Sequence, residues 1–174
     1  MQILELIKSK VASEDDMISL ASSWRREGKS IVFTNGVFDI IHKGHITLLA
    51  QAAAFGNKLI IGLNSDASVR TLGKGPDRPI NGESDRAFVL AALGMVDMVV
   101  IFDTPTPYEL IEKIQPDVLV KGGDYSAEQV NQSAKDYIVG SDLQRAAGRQ
   151  TRVISTVEGY STTATAKKLA DGKN

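Results

Sequence analysis

The chain has 174 residues, 43% of them hydrophobic and 24% charged, and a formal net charge of -1, which suits one domain with a proper hydrophobic core. This composition excludes extensive disorder, and the charge balance excludes the broad basic excess of a nucleic-acid binder, so no nucleic-acid partner is expected. The absence of cysteine excludes disulfides, thiolate catalysis and cysteine-based zinc or iron–sulfur centres.

The first residues, Met1-Gln2-Ile3-Leu4-Glu5-Leu6-Ile7-Lys8, carry an acidic group and no small-residue cleavage pattern, unlike a signal peptide. No apolar run approaches the roughly 20 residues that a membrane helix needs, so a cytoplasmic protein without a membrane partner is expected. Residues 1–28 read as an N-terminal helical segment. Its clearest helical spacing, Met17, Ile18, Leu20, Ala21 and Trp24, lies within 15–26 and stops at Gly28, a candidate C-cap. Residues 29–174 form the remainder of a single domain. There, strand one spans about 30–34 and is followed by a helix at 44–55 that ends at Gly56. Strand two spans 58–64, and a long polar connection covers 65–82. A helix at 83–93, strand three at 98–102, a helix at 106–114 and strand four at 117–121 come next. Helical pattern resumes at 126–147 with a break near Gly140. Strand five lies at about 151–156, and a last helix starts at Ser161. The strands are continuous apolar runs, as expected when both faces are buried. Their alternation with helices predicts an α/β fold, a Rossmann-like doubly wound five-stranded parallel sheet with right-handed crossovers. Ligands of such sheets bind beyond the C-terminal strand ends, where the strand order reverses.

The most informative segment is Thr34-Asn35-Gly36-Val37-Phe38-Asp39-Ile40-Ile41-His42-Lys43-Gly44-His45, where strand one hands over to its helix. It holds the only two histidines of the chain, three residues apart. A helix N-terminus offers free backbone N–H groups and a partial positive charge to a phosphate. Gly36 and Gly44 permit close backbone approach, and two imidazoles can donate hydrogen bonds to phosphate oxygens. His42 and His45 are therefore the candidate catalytic residues of a nucleotide-handling enzyme. Neither a Gly-x-Gly-x-x-Gly fingerprint nor a Gly-x-x-x-x-Gly-Lys-Ser/Thr loop is present, which argues against a dinucleotide-dependent oxidoreductase. A metal site on the two histidines would need carboxylates such as Asp39 to complete it; no protein metal ligand set is expected.

His42-Lys43-Gly44-His45, preceded by Gly-x-Phe-Asp, resembles the nucleotidyltransferase superfamily with the His-x-Gly-His signature. Thr34-Asn35-Gly36-Val37-Phe38-Asp39, Asn64-Ser65-Asp66-Ala67-Ser68, Arg78-Pro79, Val120-Lys121-Gly122-Gly123-Asp124-Tyr125 and Gly159-Tyr160-Ser161-Thr162-Thr163 occur in the same order in one branch. That branch is the D-glycero-β-D-manno-heptose 1-phosphate adenylyltransferases of lipopolysaccharide-precursor synthesis. The resemblance covers about residues 29–170. It implies a nucleotidyltransferase (HUP-type) domain that transfers AMP from ATP to the sugar 1-phosphate. Further implications are Mg²⁺ carried mainly on the ATP phosphates, a homodimer, and a stand-alone form of a domain elsewhere fused to a sugar kinase. The stretch between Tyr125 and Gly148 is longer than is usual in that family.

The matching segments supply further candidates. Asn35, Gly36, Val37, Phe38 and Gly44 are expected at the nucleotide, as are Lys121, Gly123 and Asp124 after strand four. Asp124 is also placed to accept from sugar hydroxyls. Tyr160 is expected at the nucleotide too, and Ser161, Thr162 and Thr163 open the last helix, their hydroxyls reading either as caps or as donors to the β- and γ-phosphates. Arg86 is expected either to reach the phosphates or to pair with Asp85 or Glu83. Asp39, Asn64 and Asp66 are candidate substrate-binding groups, and Arg70, Lys74 and Arg78 candidate cations to grip the acceptor phosphate or to close over the triphosphate. Trp24 and Tyr137 read as packing. The competing reading within the same chemistry is a cytidylyltransferase for a small phosphorylated alcohol such as glycerol 3-phosphate. A non-catalytic nucleotide-binding protein is the alternative outside it.

Overall fold

In the computed structural model, residues 2–73, 75, 77–155, 157, 159–162, 165 and 172 are described. The expected Lys74, Thr163 and most of the last helix lie outside them. Thirteen elements follow in order: α1 (Ile3–Ser9), β1 (Val11–Ala12), α2 (Glu14–Arg26), β2 (Ile31–Gly36), α3 (Lys43–Ala53), β3 (Lys58–Asn64), α4 (Asp66–Thr71), α5 (Glu83–Ala91), β4 (Met98–Phe102), α6 (Tyr108–Ile114), β5 (Val118–Gly122), α7 (Ser141–Ala146) and β6 (Gln150–Ile154).

The strands form one sheet in the order β1-β4-β3-β2-β5-β6, with every neighbouring pair parallel. Alternate residues of each strand enter opposite layers. Val32, Leu59, Ile61, Leu63 and Val99 pack with Leu49 and Ala52 of α3 and Ala87, Leu90 and Ala91 of α5. Ile31, Phe33, Ile60, Met98 and Leu119 pack with Met17 and Ala21 of α2 and Leu110, Ile111 and Ile114 of α6. Two buried faces explain why the strands are apolar throughout. From β2 the chain winds outward to β3 and β4, then returns to add β5 and β6 on the other side. The order therefore reverses between β2 and β5, which opens a crevice at their C-terminal ends.

Three expectations need correction. The sheet has six strands, not five, because Val11 and Ala12 pair with Val99 and Val100. The 1–28 segment is accordingly two helices split by an edge strand, and a two-residue strand is too short to show any periodicity. The 65–82 connection contains α4, whose cap Ser65 accepts from Ser68 N at 3.0 Å. The helical pattern of 126–147 survives only as α7. Upstream of it, Gln129 and Asn131 side chains accept from the backbone N–H groups of Asn131 and Ser133, and such local bonds compete with helix. Tyr137 and Tyr108 hydroxyls both donate to Asp142, which fastens that segment to α6.

Gly62 lies on β3 with no room for a side chain: an added Cβ would stand 2.7 Å from Phe33 Cζ and 3.2 Å from Leu110 Cδ2. Overpacking a filled core costs about 1–3 kcal/mol. Gly62→Ala is expected to lower folding stability by about that amount, measured by urea unfolding with an unchanged slope.

Candidate active site

The crevice is a cavity of about 630 Å³, within the range of small-ligand sites. One wall is the turn from β2 into α3, with Asn35, Gly36, Val37, Phe38, Asp39, His42, Gly44 and His45. The facing wall comes from the ends of β5 and β6, with Lys121, Gly122, Tyr125, Ile154, Ser155 and Val157, and from Tyr160, Ser161 and Thr162. Gly73 and Arg78 reach it from the loop after α4.

His42 is the N-cap of α3, and its Nδ1 accepts from His45 N at 3.4 Å. That contact leaves Nδ1 as acceptor and puts the proton of the neutral ring on Nε2. The two imidazoles stack, with centroids 3.8 Å apart and planes inclined by 14°. Burial holds the His42 imidazole below its ordinary value of 6.5, so it is neutral at pH 7. A second positive charge on the stack would be opposed by Coulomb repulsion at this distance. His42 is thus suited to donate a hydrogen bond from a neutral ring, and the pair is not a fixed dication. Gly44 keeps the approach open, since a Cβ there would stand 3.1 Å from the His42 ring and 3.3 Å from Tyr160 Cβ. Lys121 Nζ donates to Asn35 Oδ1 at 3.1 Å and lies over the Tyr125 ring, so the β5 end is tied to the β2 end across the crevice.

Behind the turn is a polar network, and it takes up several residues that the sequence places at the ligand. The Asp39 carboxylate is fully buried and accepts from Ile80 N and Asn81 N at 2.9 Å each, and it pairs with Arg78 Nε at 2.6 Å. Burial alone would raise its pKa, but the Asn81 and Ile80 N–H groups and the Arg78 guanidinium together hold it below the ordinary carboxylate value. Arg86, also fully buried, donates from Nε to Asn81 O, from Nη1 to Val37 O at 2.6 Å and from Nη2 to Asp66 Oδ1 at 2.7 Å. Asp66 N donates to Glu83 Oε2, and Asn64 Nδ2 to Ser68 Oγ. Arg86 therefore pairs with Asp66, not with Asp85 or Glu83, and does not line the cavity. Asn64 and Asp66 lie beneath the site in the same way. Among the other candidates, Arg70 and Asp124 are exposed and outside the lining, and Gly123, at φ +121, bonds through its N to Ile154 O.

Val37 and Phe38 are buried, and Phe38 has φ +47. A non-glycine residue there carries about 1–3 kcal/mol of strain and persists only where its surroundings fix it. Here an added Cβ on Gly36 would stand 3.0 Å from the Phe38 ring, and that ring meets His45 edge-on with centroids 5.2 Å apart. Leu48, Tyr125, Ile154, Ser155 and Val157 line the cavity without having been singled out from the sequence. Leu48 follows His45 by one helical turn, which is the signal that could have found it; the β6 residues carry no such signal.

No helix among the described residues is long and apolar enough to cross a membrane. Residues 33–167 match the cytidylyltransferase-like family, and the chain belongs to it. It is similar to the bifunctional protein HldE of Wolinella succinogenes, with 51% identity over 93% of this chain and 31% of that protein. A second HldE protein, from Campylobacter concisus, is 53% identical over 84% of this chain and 28% of its own length. The chain thus spans about a third of the length of the curated relatives it matches. A pantoate-beta-alanine ligase from Francisella tularensis, solved with an ATP analogue and beta-alanine, shares the fold, with a TM-score of 0.60 at 14% identity over 90% of this chain and 72% of that one. So does a lipopolysaccharide core biosynthesis protein from Thermoplasma volcanium, with a TM-score of 0.56 at 24% identity over 77% of this chain and all of that one.

A proton on His42 is disfavoured in the folded chain and free to bind in the unfolded one. Its contribution to stability is complete above the unfolded value of 6.5 and is lost as pH falls through the lower folded value. NMR of the unliganded protein is expected to show His42 titrating below 6.5 as the Nε2–H tautomer. A titration at or above that value would contradict the geometry.

Proposed function

We propose that the chain transfers the adenylyl group of ATP to D-glycero-β-D-manno-heptose 1-phosphate, releasing pyrophosphate and forming an ADP-heptose in the cytoplasm. The observation that carries the chemistry is the stacked His42–His45 pair at the N-terminus of α3, open to a cavity large enough for a nucleotide. The heptose acceptor is supported by the ordered run of motifs from Thr34 to Thr163. The bifunctional relatives, of which this chain spans a third, fit the same reading. Their remaining two thirds would then carry the sugar kinase.

An oxygen of the sugar phosphate attacks the α-phosphorus; the bond from that phosphorus to the bridging oxygen of the β-phosphate breaks, and pyrophosphate leaves with its electrons. The attacking monoester is already ionised at pH 7, so no general base is needed. Catalysis is then positioning and stabilisation of charge. His42 Nε2–H and His45, with the free N–H groups of α3, face the phosphates whose charge grows as the bond breaks. Lys121, held by Asn35, supplies positive charge on the opposite wall. Arg78 serves the site less as a free cation than as the partner of Asp39, fixing the loop that closes one end. Among the described residues no group of three or more His, Cys, Asp or Glu could hold a metal ion. Mg²⁺ bound mainly through the triphosphate oxygens would neutralise phosphate charge with few protein ligands.

Pyrophosphate release should require both Mg²⁺-ATP and the heptose 1-phosphate, with CTP and glycerol 3-phosphate assayed in parallel. Turnover with the latter pair alone would move the chain to cytidylyl transfer. Tight ATP binding without turnover on any sugar phosphate would point to a non-catalytic nucleotide binder. His45→Ala should lower kcat by about 10²–10³, the usual loss for one preorganised donor, with an unchanged melting temperature. Activity within about tenfold of the parent would refute the role.

A further inference from the structure

Neither Phe38 nor Arg86 reaches the ligand with a polar group, yet each is held in a way that packing alone does not require. The Phe38 backbone is in the left-handed region, although a phenylalanine gains nothing from that conformation. Arg86 has no exposed side-chain surface, and every nitrogen of its guanidinium is engaged. The two are joined at one atom: Arg86 Nη1 donates to Val37 O, the carbonyl of the peptide that enters Phe38. From there the contacts run on, the Phe38 ring packing under Gly36 and meeting the His45 imidazole edge-on at 5.2 Å. His45 in turn stacks on His42.

We propose that Phe38 and Arg86 are positioning residues for His45: Arg86 fixes the left-handed turn at Phe38 through the Val37 carbonyl, and the Phe38 ring sets the angle of the His45 imidazole toward the phosphates. The edge of an aromatic ring is electropositive and its face electronegative, so an edge-on contact prefers one tilt of its neighbour. Nδ1 of His42 is committed to His45 N, the two imidazoles stack, and the Phe38 ring adds a second ring contact to His45. The same guanidinium holds Asn81 O and Asp66, so Arg86 sets the turn relative to the loop after β3 and the 78–82 loop together. The inference deepens the adenylyl-transfer reading and rests on its assignment of His45.

The test uses the full chain and three variants. Phe38→Leu keeps an apolar side chain and removes the ring edge. Arg86→Lys keeps one positive charge but cannot reach three acceptors. Ile114→Val trims the opposite layer, at the C-terminal end of α6, and reports on destabilisation alone. Proton–carbon spectra of the His45 ring are recorded with and without Mg²⁺-ATP, alongside kcat and the KM for ATP. Phe38→Leu and Arg86→Lys are expected to shift the His45 ring resonances, to reduce their response to Mg²⁺-ATP, and to lower kcat by about tenfold to a hundredfold with the KM changed by less than about threefold. Ile114→Val should leave the spectra and kcat as in the parent. If one of the first two variants fails to fold, the other carries the test, because each breaks the chain of contacts at a different point. Folded variants with parental His45 spectra and kcat within about twofold of the parent would overturn the proposal. A parent protein inactive on the heptose 1-phosphate would defeat the functional reading instead, and the spectra would still decide whether Phe38 and Arg86 orient His45.

Discussion

Two buried charges, Asp39 and Arg86, hold the whole crevice in shape. Removing an ion from water is costly unless partners satisfy it completely, and both are satisfied almost entirely by backbone and by opposite charges. Such an arrangement contributes less to net stability than to uniqueness. Only one relative placement of three segments provides all the partners: the turn after β2, the start of α4, and the loop 78–82. The Asp39 carboxylate reads the position of Ile80 and Asn81, and Arg86 reads Asn81, Val37 and Asp66. The sheet supplies the crevice, and this network fixes how its rim is drawn.

The histidine pair depends on that rim. A stack of two imidazoles has no strong preference for one orientation in water, and here three constraints combine to give it one. His42 Nδ1 is tied to the first turn of α3, Gly44 leaves room beside the His42 ring, and Phe38 abuts His45. Burial keeps His42 neutral at pH 7, so its donor is present without a standing charge. A donor that need not gain or lose a proton during the reaction is well matched to a leaving group whose charge rises while the proton count stays constant.

The fold was largely legible because the strands are buried on both faces and the helices separate them. Five strands could be placed within a residue or two, β3 and β4 to the residue. The missing strand, Val11–Ala12, shows its nature only through its pairing with β4, which no local pattern reveals. Residues 126–140 carry helical spacing yet fold as turns, because tyrosine and amide side chains there find partners in Asp142 and in neighbouring backbone. At the site, the cluster around His42 and His45 was legible because glycine and histidine have specific uses at a helix N-terminus. Less legible was which charged residues of the same motifs support the site from behind. Asp39, Asp66 and Arg86 stand in segments that build the site, and sequence proximity to a ligand is indistinguishable from proximity to a ligand's support. Burial separates the two, and burial of a charged side chain is set by residues 20 to 50 positions away.

The lining of the cavity is uneven in a way that bears on its occupant. Apolar groups from Leu48, Ile154, Val157 and Tyr125 line it together with donors and positive charge from His42, His45, Lys121, Ser161 and the N-terminus of α3. A ligand that joins a flat, weakly polar group to a strongly anionic one suits such a lining, and a nucleoside triphosphate has that character. A free sugar phosphate would leave those apolar groups against water. A dinucleotide would need a second cradle for its second nucleoside, and β3, the other neighbour of β2, ends instead in Asn64, whose amide is spent on Ser68. The mixed lining of the cavity therefore favours a ligand of the nucleotide class. Cationic and hydrogen-bonding groups at the N-terminus of α3 and on Lys121 are the ones suited to its phosphates.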